Sequence, residues 1–174
     1  MEPPVWQHTA KASSGTDRRR EDQPATRRHH LTERIIVCGH LSAADLSWLA
    51  SHESPTVIDL RTPPEDALGG LSFAQARRLA VDLGIAYHNV PIAPAMTSRD
   101  GIAEVRGILN ATAGCVLLHC TDGARAGALA LIHLGCDVGR SLGECYTRAA
   151  ELPVPAPVEF WVGYILDEPH RGRL

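Results

Sequence analysis

No two cysteines in this chain fall in a C-x-x-C spacing, which removes the signature of a zinc ribbon or a paired-disulfide framework. The five present (Cys38, Cys115, Cys120, Cys136 and Cys145) are odd in number and sit mostly in apolar runs. There a free thiol behaves as a small hydrophobe. Nor does any apolar run approach the roughly 20 residues that a membrane-crossing helix needs. The N-terminal stretch is polar and proline-bearing, without the apolar core of a signal peptide, so a reduced cytoplasmic setting is expected, with no membrane partner. Excess charge is lacking too. A formal net charge of −3 gives no electrostatic reason to expect a nucleic-acid partner.

What is present suffices for one ordinary domain. Hydrophobic residues make up 44% of 174, enough for a core without a disulfide or metal staple, and no cofactor is called for. Residues 1–33 mix Pro, Ser, Gly, Gln and charge without apolar periodicity, a composition that cannot offset ordering entropy. They are expected to be a disordered extension. The arginines at 18–20 and 27–28 are offset by Asp17, Glu21 and Asp22. The domain proper is expected over 34–174.

Within it, short β-type runs alternate with helical segments. Ile35 to Cys38, Thr56 to Leu60, Ala86 to Ile92 and Cys115 to Leu118 predict strands. Ser42 and Asp45 form a capping-box pattern ahead of a helix, as do Ser141 and Glu144. Phe73 to Leu83 predicts a helix closed by Gly84, and Ser98 to Ala111 carries Ile102, Val105 and Leu109 on one helical face. Helices are also expected over 124–135 and about 157–167. The alternation predicts an α/β fold, a mostly parallel sheet of about four strands flanked by helices.

The segment His119-Cys120-Thr121-Asp122-Gly123-Ala124-Arg125 stands between the last apolar strand and a helical continuation. Ligands in such sheets gather at the carboxyl ends of strands. A helix N-terminus and a nearby cation both favour the thiolate of Cys120. The amides of Thr121, Gly123 and Ala124 can form a nest for an anion, Gly123 allowing the tight turn. Arg125 can place a planar fork on two oxyanion atoms. Nucleophile, cradle and clamp thus come from one short loop. Arg61, just after a strand end, could reach the rim of the site or serve as a surface ion-pair partner. His40, His88 and Cys38 are read as structural rather than as metal ligands, and Phe160, Trp161 and Tyr164 as a core stripe on the last helix.

These blocks (Gly39-His40-Leu41-Ser42, Val57-Ile58-Asp59-Leu60-Arg61, Gly84 to His88, Val90-Pro91-Ile92 and HCTDGARAGAL) resemble the beta-lactamase hydrolase-like protein, phosphatase-like domain family. The resemblance covers roughly 34–152. It implies a cysteine-phosphatase-like fold with the active loop after the last strand, Cys120 and Arg125 as the residues carried over, and His119 as a support that hydrogen-bonds the cysteine. It also implies action on a phosphomonoester, borne by a small anionic molecule or a phosphorylated protein, through a cysteinyl-phosphate intermediate.

Three departures keep other readings open. Four residues separate Cys120 from Arg125, where the protein phosphatases have five; the shorter span resembles the rhodanese sulfurtransferases. Ala126 replaces the Ser or Thr that usually follows the arginine. No carboxylate lies between Pro91 and Arg99, so Asp122, inside the loop, and Asp100 are the candidate proton carriers. A sulfurtransferase that carries a Cys120 persulfide and a non-catalytic anion-binding module are the alternatives.

Overall fold

The unbroken apolar runs become the middle of a sheet. In the computed structural model, which describes residues 27–167, Ile35–Cys38 (β2), Thr56–Asp59 (β3) and Val116–His119 (β5) are buried at every position. That is what a strand covered on both faces requires. Ala86–Asn89 (β4) lies at one edge and alternates exposed and half-buried residues. His29–His30 (β1) lies at the other, giving the order β1-β2-β5-β3-β4. All pairings are parallel except β1 with β2. In register, Cys38 and Asp59 both stand beside His119.

Among the described residues six helices flank the sheet: α1 (Ala43–Leu49), α2 (Phe73–Asp82), α3 (Arg99–Ala111), α4 (Ala124–Cys136), α5 (Leu142–Glu151) and α6 (Val158–Asp167). Pro63–Ala67 adds a turn of 3-10 helix. The expected caps are formed. Ser42 Oγ accepts from Asp45 N at 3.2 Å while the Asp45 carboxylate accepts from Ser42 N at 3.0 Å, and Ser141 and Glu144 repeat the exchange. Such a cap stabilises a helix by about 1 kcal/mol. The α3 face buries Ile102, Val105 and Leu109, as its spacing predicts.

Strand alternation divides the core. Val37, Ile58, Val116 and Leu118 pack with α3, α4, α5 and α6, whereas Ile36, Val57 and Leu117 pack with α1 and α2. Helix α4 is buried continuously from Arg125 to Leu134, sandwiched between the sheet and its neighbouring helices.

The mostly parallel sheet flanked by helices is as expected, and among the described residues it has five strands; the two residues of β1 are too few to show alternation in sequence. Residues before Arg34 also pack on the domain. Leu31 is fully buried, and Arg28 pairs with Asp45 at 3.2 Å and lies 4.3 Å from the Trp48 ring centre. Polar flanks hid this single apolar anchor. Residues 1–26, the rest of the expected extension, lie outside the described residues. On α6, Trp161 and Ile165 are the buried stripe; Phe160 and Tyr164 are only half-buried.

Candidate active site

Alternation along β5 sends Leu118 and then Cys120 toward α4, and His119 to the opposite side. The chain must then turn into the helix within three residues. Gly123 makes this turn with φ +101°, a left-handed value that side chains rarely adopt. The turn brings the Gly123 amide to 3.1 Å from Cys120 Sγ, donating to the sulfur. Asp122 Oδ1 accepts from Ala124 N at 2.9 Å and lies 3.5 Å from Cys120 Sγ, within reach of a thiol proton. Gly39 supports the loop from below: a Cβ there would stand 3.2 Å from both Asp122 C and Thr121 O. The Cys120 sulfur is wholly covered, whereas Asp122 is exposed.

Arg125, in the first turn of α4, extends back under the loop. Its Nη1 donates to Ile92 O at 2.6 Å, Glu65 Oε2 at 3.0 Å and Leu60 O at 3.3 Å. Its Nη2 donates to Glu65 Oε1 and, at 3.2 Å, to Thr121 Oγ1. Burial opposes charge on the guanidinium, but Glu65, with the Cys120 sulfur, raises its pKa. Burial would likewise raise Glu65; Arg125, Thr121 and Thr62 overcome it and hold the carboxyl down at about 2. Glu65 is the site residue that sequence reasoning missed. One signal was available: Thr62-x-x-Glu65 is itself a capping-box pattern that turns the carboxylate inward.

Behind the loop lies a second charged layer. Asp59 receives Arg61 through Nε at 3.0 Å and Nη2 at 2.6 Å, and the Tyr87 hydroxyl at 2.8 Å. His119 Nε2 lies 3.2 Å from the same carboxylate. Burial raises the Asp59 pKa, but His119 and Arg61 outweigh it and the net shift is strongly downward. Arg61 is fully buried and also donates to Leu71 O at 3.0 Å, so it is neither at the rim nor on the surface. His119 faces Asp59 rather than the cysteine, as its position on the strand demands. The support it gives is to the layer beneath.

Above Arg125 a cleft of 320 Å³ is lined by Thr121, Asp122, Ala124 and Arg125 of the loop, with Glu65, Met96 and three prolines around them. Met96 holds φ +50° at this rim, a left-handed value uncommon for its type. Asp100 is exposed on the first turn of α3 and does not line the cleft. Among the described residues, no group of three or more His, Cys, Asp or Glu could hold a metal ion. His88 is exposed on the β4 edge, far from Cys38 and His40 in strand order. No described helix is long and apolar enough to cross a membrane.

The family model described as "Beta-lactamase hydrolase-like protein, phosphatase-like domain" matches residues 28–135, through the loop and most of α4. The chain belongs to this family. The match begins at Arg28, in agreement with the early start of the ordered fold. No curated protein matches the chain in sequence. Solved structures do. The core catalytic domain of the PP-IP phosphatase SIW14 from S. cerevisiae is 15% identical, with a TM-score of 0.64, covering 86% of this chain and 90% of that one. A structure from Neisseria meningitidis assigned as a phosphatase is 21% identical, with a TM-score of 0.61, covering 78% and 93%. Kinase associated phosphatase, crystallised with its catalytic-site cysteine changed to serine, is 16% identical with a TM-score of 0.63, covering 83% and 94%. These neighbours place this member of the phosphatase-like domain family in the tyrosine and dual-specificity phosphatase fold.

Proposed function

We propose that the chain is a cysteine-dependent phosphatase that hydrolyses a phosphomonoester through a cysteinyl-phosphate intermediate. The observation that carries this reading is the Gly123 amide donating to Cys120 Sγ at 3.1 Å, at the N-terminus of a buried helix. An amide directed at a sulfur where a helix begins is the setting in which cysteine serves as a nucleophile. In the forward step the Cys120 thiol gives its proton to Asp122, and the sulfur attacks phosphorus in line. The bond from phosphorus to the ester oxygen breaks, and Asp122 returns the proton to the departing alcohol. Water then attacks the cysteinyl phosphate, releasing inorganic phosphate and restoring the thiol. Arg125, Thr121 and the loop amides hold the equatorial oxygens where negative charge gathers. Because Cys120 is covered, the loop must open for substrate to reach it.

The test is turnover of an aryl phosphate by the full chain, with Cys120→Ser beside it. Turnover abolished by the substitution, at an unchanged thermal midpoint, is the expected result. Turnover that survives it refutes the nucleophile. The sulfurtransferase reading is favoured by one feature, the four-residue span from Cys120 to Arg125. Thiocyanate formation from thiosulfate and cyanide, without phosphatase turnover, would establish it instead.

A further inference from the structure

The Glu65 carboxylate fills the anion side of the clamp. Its Oε2 accepts from Thr62 N and Thr62 Oγ1 at 2.8 Å each and from Arg125 Nη1 at 3.0 Å. Its Oε1 accepts from Thr121 Oγ1 at 2.5 Å and from Arg125 Nη2. The four Nη hydrogens of Arg125 are already shared among five acceptors: Leu60 O, Ile92 O, Thr121 Oγ1 and both Glu65 oxygens. A ligand oxyanion that takes two Nη hydrogens must therefore displace Glu65 or Thr121.

We infer that Glu65 is a specificity-determining residue, a built-in carboxylate whose charge makes the loop favour singly charged oxyanions over dianions. The inference rests on Arg125 acting as the anion clamp of the proposed phosphatase, and it narrows the substrate to a phosphoester presented as its monoanion. The charge balance around the cradle leads there. Glu65 and Asp122 both face the cleft, and among the described residues Arg125 is the one cationic side chain that lines it. Two other guanidiniums come near the loop without lining this cleft: Arg61 lies in the layer below and is committed to Asp59, and Arg27 lines a separate pocket with Gly39 and Gly123. The N-terminus of α4 contributes about half a positive charge. Coulomb repulsion scales with ligand charge, so a dianion meets each carboxylate with twice the force that a monoanion does. A residue that merely braced Arg125 would have the opposite signature, since its removal would loosen the clamp and weaken every anion.

Calorimetric titration of the full chain with sodium sulfate and sodium nitrate tests this, on wild type, Glu65→Gln and Glu65→Asp, with a thermal midpoint for each. The wild type is expected to bind nitrate at least as tightly as sulfate. Glu65→Gln should tighten sulfate by roughly tenfold or more, and nitrate by far less. Glu65→Asp, which keeps the charge, should retain the wild-type order. Weaker sulfate binding in Glu65→Gln, or equal tightening of both anions, overturns the inference. So does a wild type that binds sulfate tenfold more tightly than nitrate, which decides the matter even if a variant fails to fold. These are binding measurements, so the two readings fail separately. Absent turnover with the charge pattern intact removes the phosphatase, and turnover with sulfate preferred removes only this inference.

Discussion

Replacing Arg125 with lysine separates charge from shape at the centre of the site. A sequence reading of Arg125 as a pure ligand clamp predicts lost chemistry and little change in stability. The geometry predicts both losses. Arg125 joins three segments through its own hydrogen bonds: the turn after β3 at Leu60 and Glu65, the turn after β4 at Ile92, and the loop itself at Thr121. Lysine keeps the charge but has one nitrogen, which cannot reach Ile92 O and both Glu65 oxygens together. Leu60 O and Ile92 O would lose their charged donor, and the buried Glu65 carboxylate would keep only part of its partnership. A hydrogen bond to a charged group contributes about 1.5–3 kcal/mol, so losing one or two costs roughly 2–5 kcal/mol. At about 2–4 °C per kcal/mol for a chain of this size, the thermal midpoint should fall by roughly 4–20 °C. Turnover efficiency should fall on the order of tenfold to a hundredfold at a temperature where the variant is still folded. Calorimetric scans and initial rates on one preparation read both. A midpoint within 2 °C of wild type would refute the strut, and unchanged turnover by the folded variant would refute the clamp.

Acid should act through the same residues. Glu65 titrates near 2 in the folded protein against an ordinary 4.5, and Asp59 is also lowered, so their stabilisation is complete above about pH 4.5 and is lost as pH falls toward 2. Urea unfolding between pH 6 and pH 3 should show a steep loss of stability that Glu65→Gln makes shallower; parallel curves for the two proteins would contradict the pairing. Deleting residues 1–33 should lower stability by roughly 2–4 kcal/mol, because Leu31 leaves the core and the edge strand β1 is lost. A truncated protein with the wild-type unfolding midpoint would show that β1 contributes nothing.

Where local chemistry decided the outcome, the sequence was enough to read it. The serine caps at 42 and 141, the apolar face of α3, and the buried strand leading to a cysteine at a helix start depend on residues only a few positions apart. The loop residues Cys120, Thr121, Asp122, Gly123, Ala124 and Arg125 come together for the same reason. Long-range pairings were opaque. Glu65 follows a Pro63-Pro64 pair that reads as a break in structure, and it meets Arg125 only because β3 and β5 are neighbours. Arg61 could be read only as a rim or surface residue, because a charged side chain is seldom fully buried. The carboxylate that makes this tolerable, Asp59, is two residues away and shares its end of β3.

The strand order has a consequence for how the chain reaches its folded state. Strand β5 is the last to be synthesised, yet it occupies the middle of the sheet, between β2 and β3. Until Val116–His119 arrives, Ile35–Cys38 and Thr56–Asp59 have no common neighbour, and the sheet cannot close. Pairings so distant in sequence form slowly, because loop-closure entropy is lost before the contacts compensate for it. Closing the sheet is also the event that sets Cys120 at the start of α4, beneath its loop. Assembly of the core and sequestration of the thiol are therefore one step, and a ribosome-bound chain that stops before Val116 lacks both.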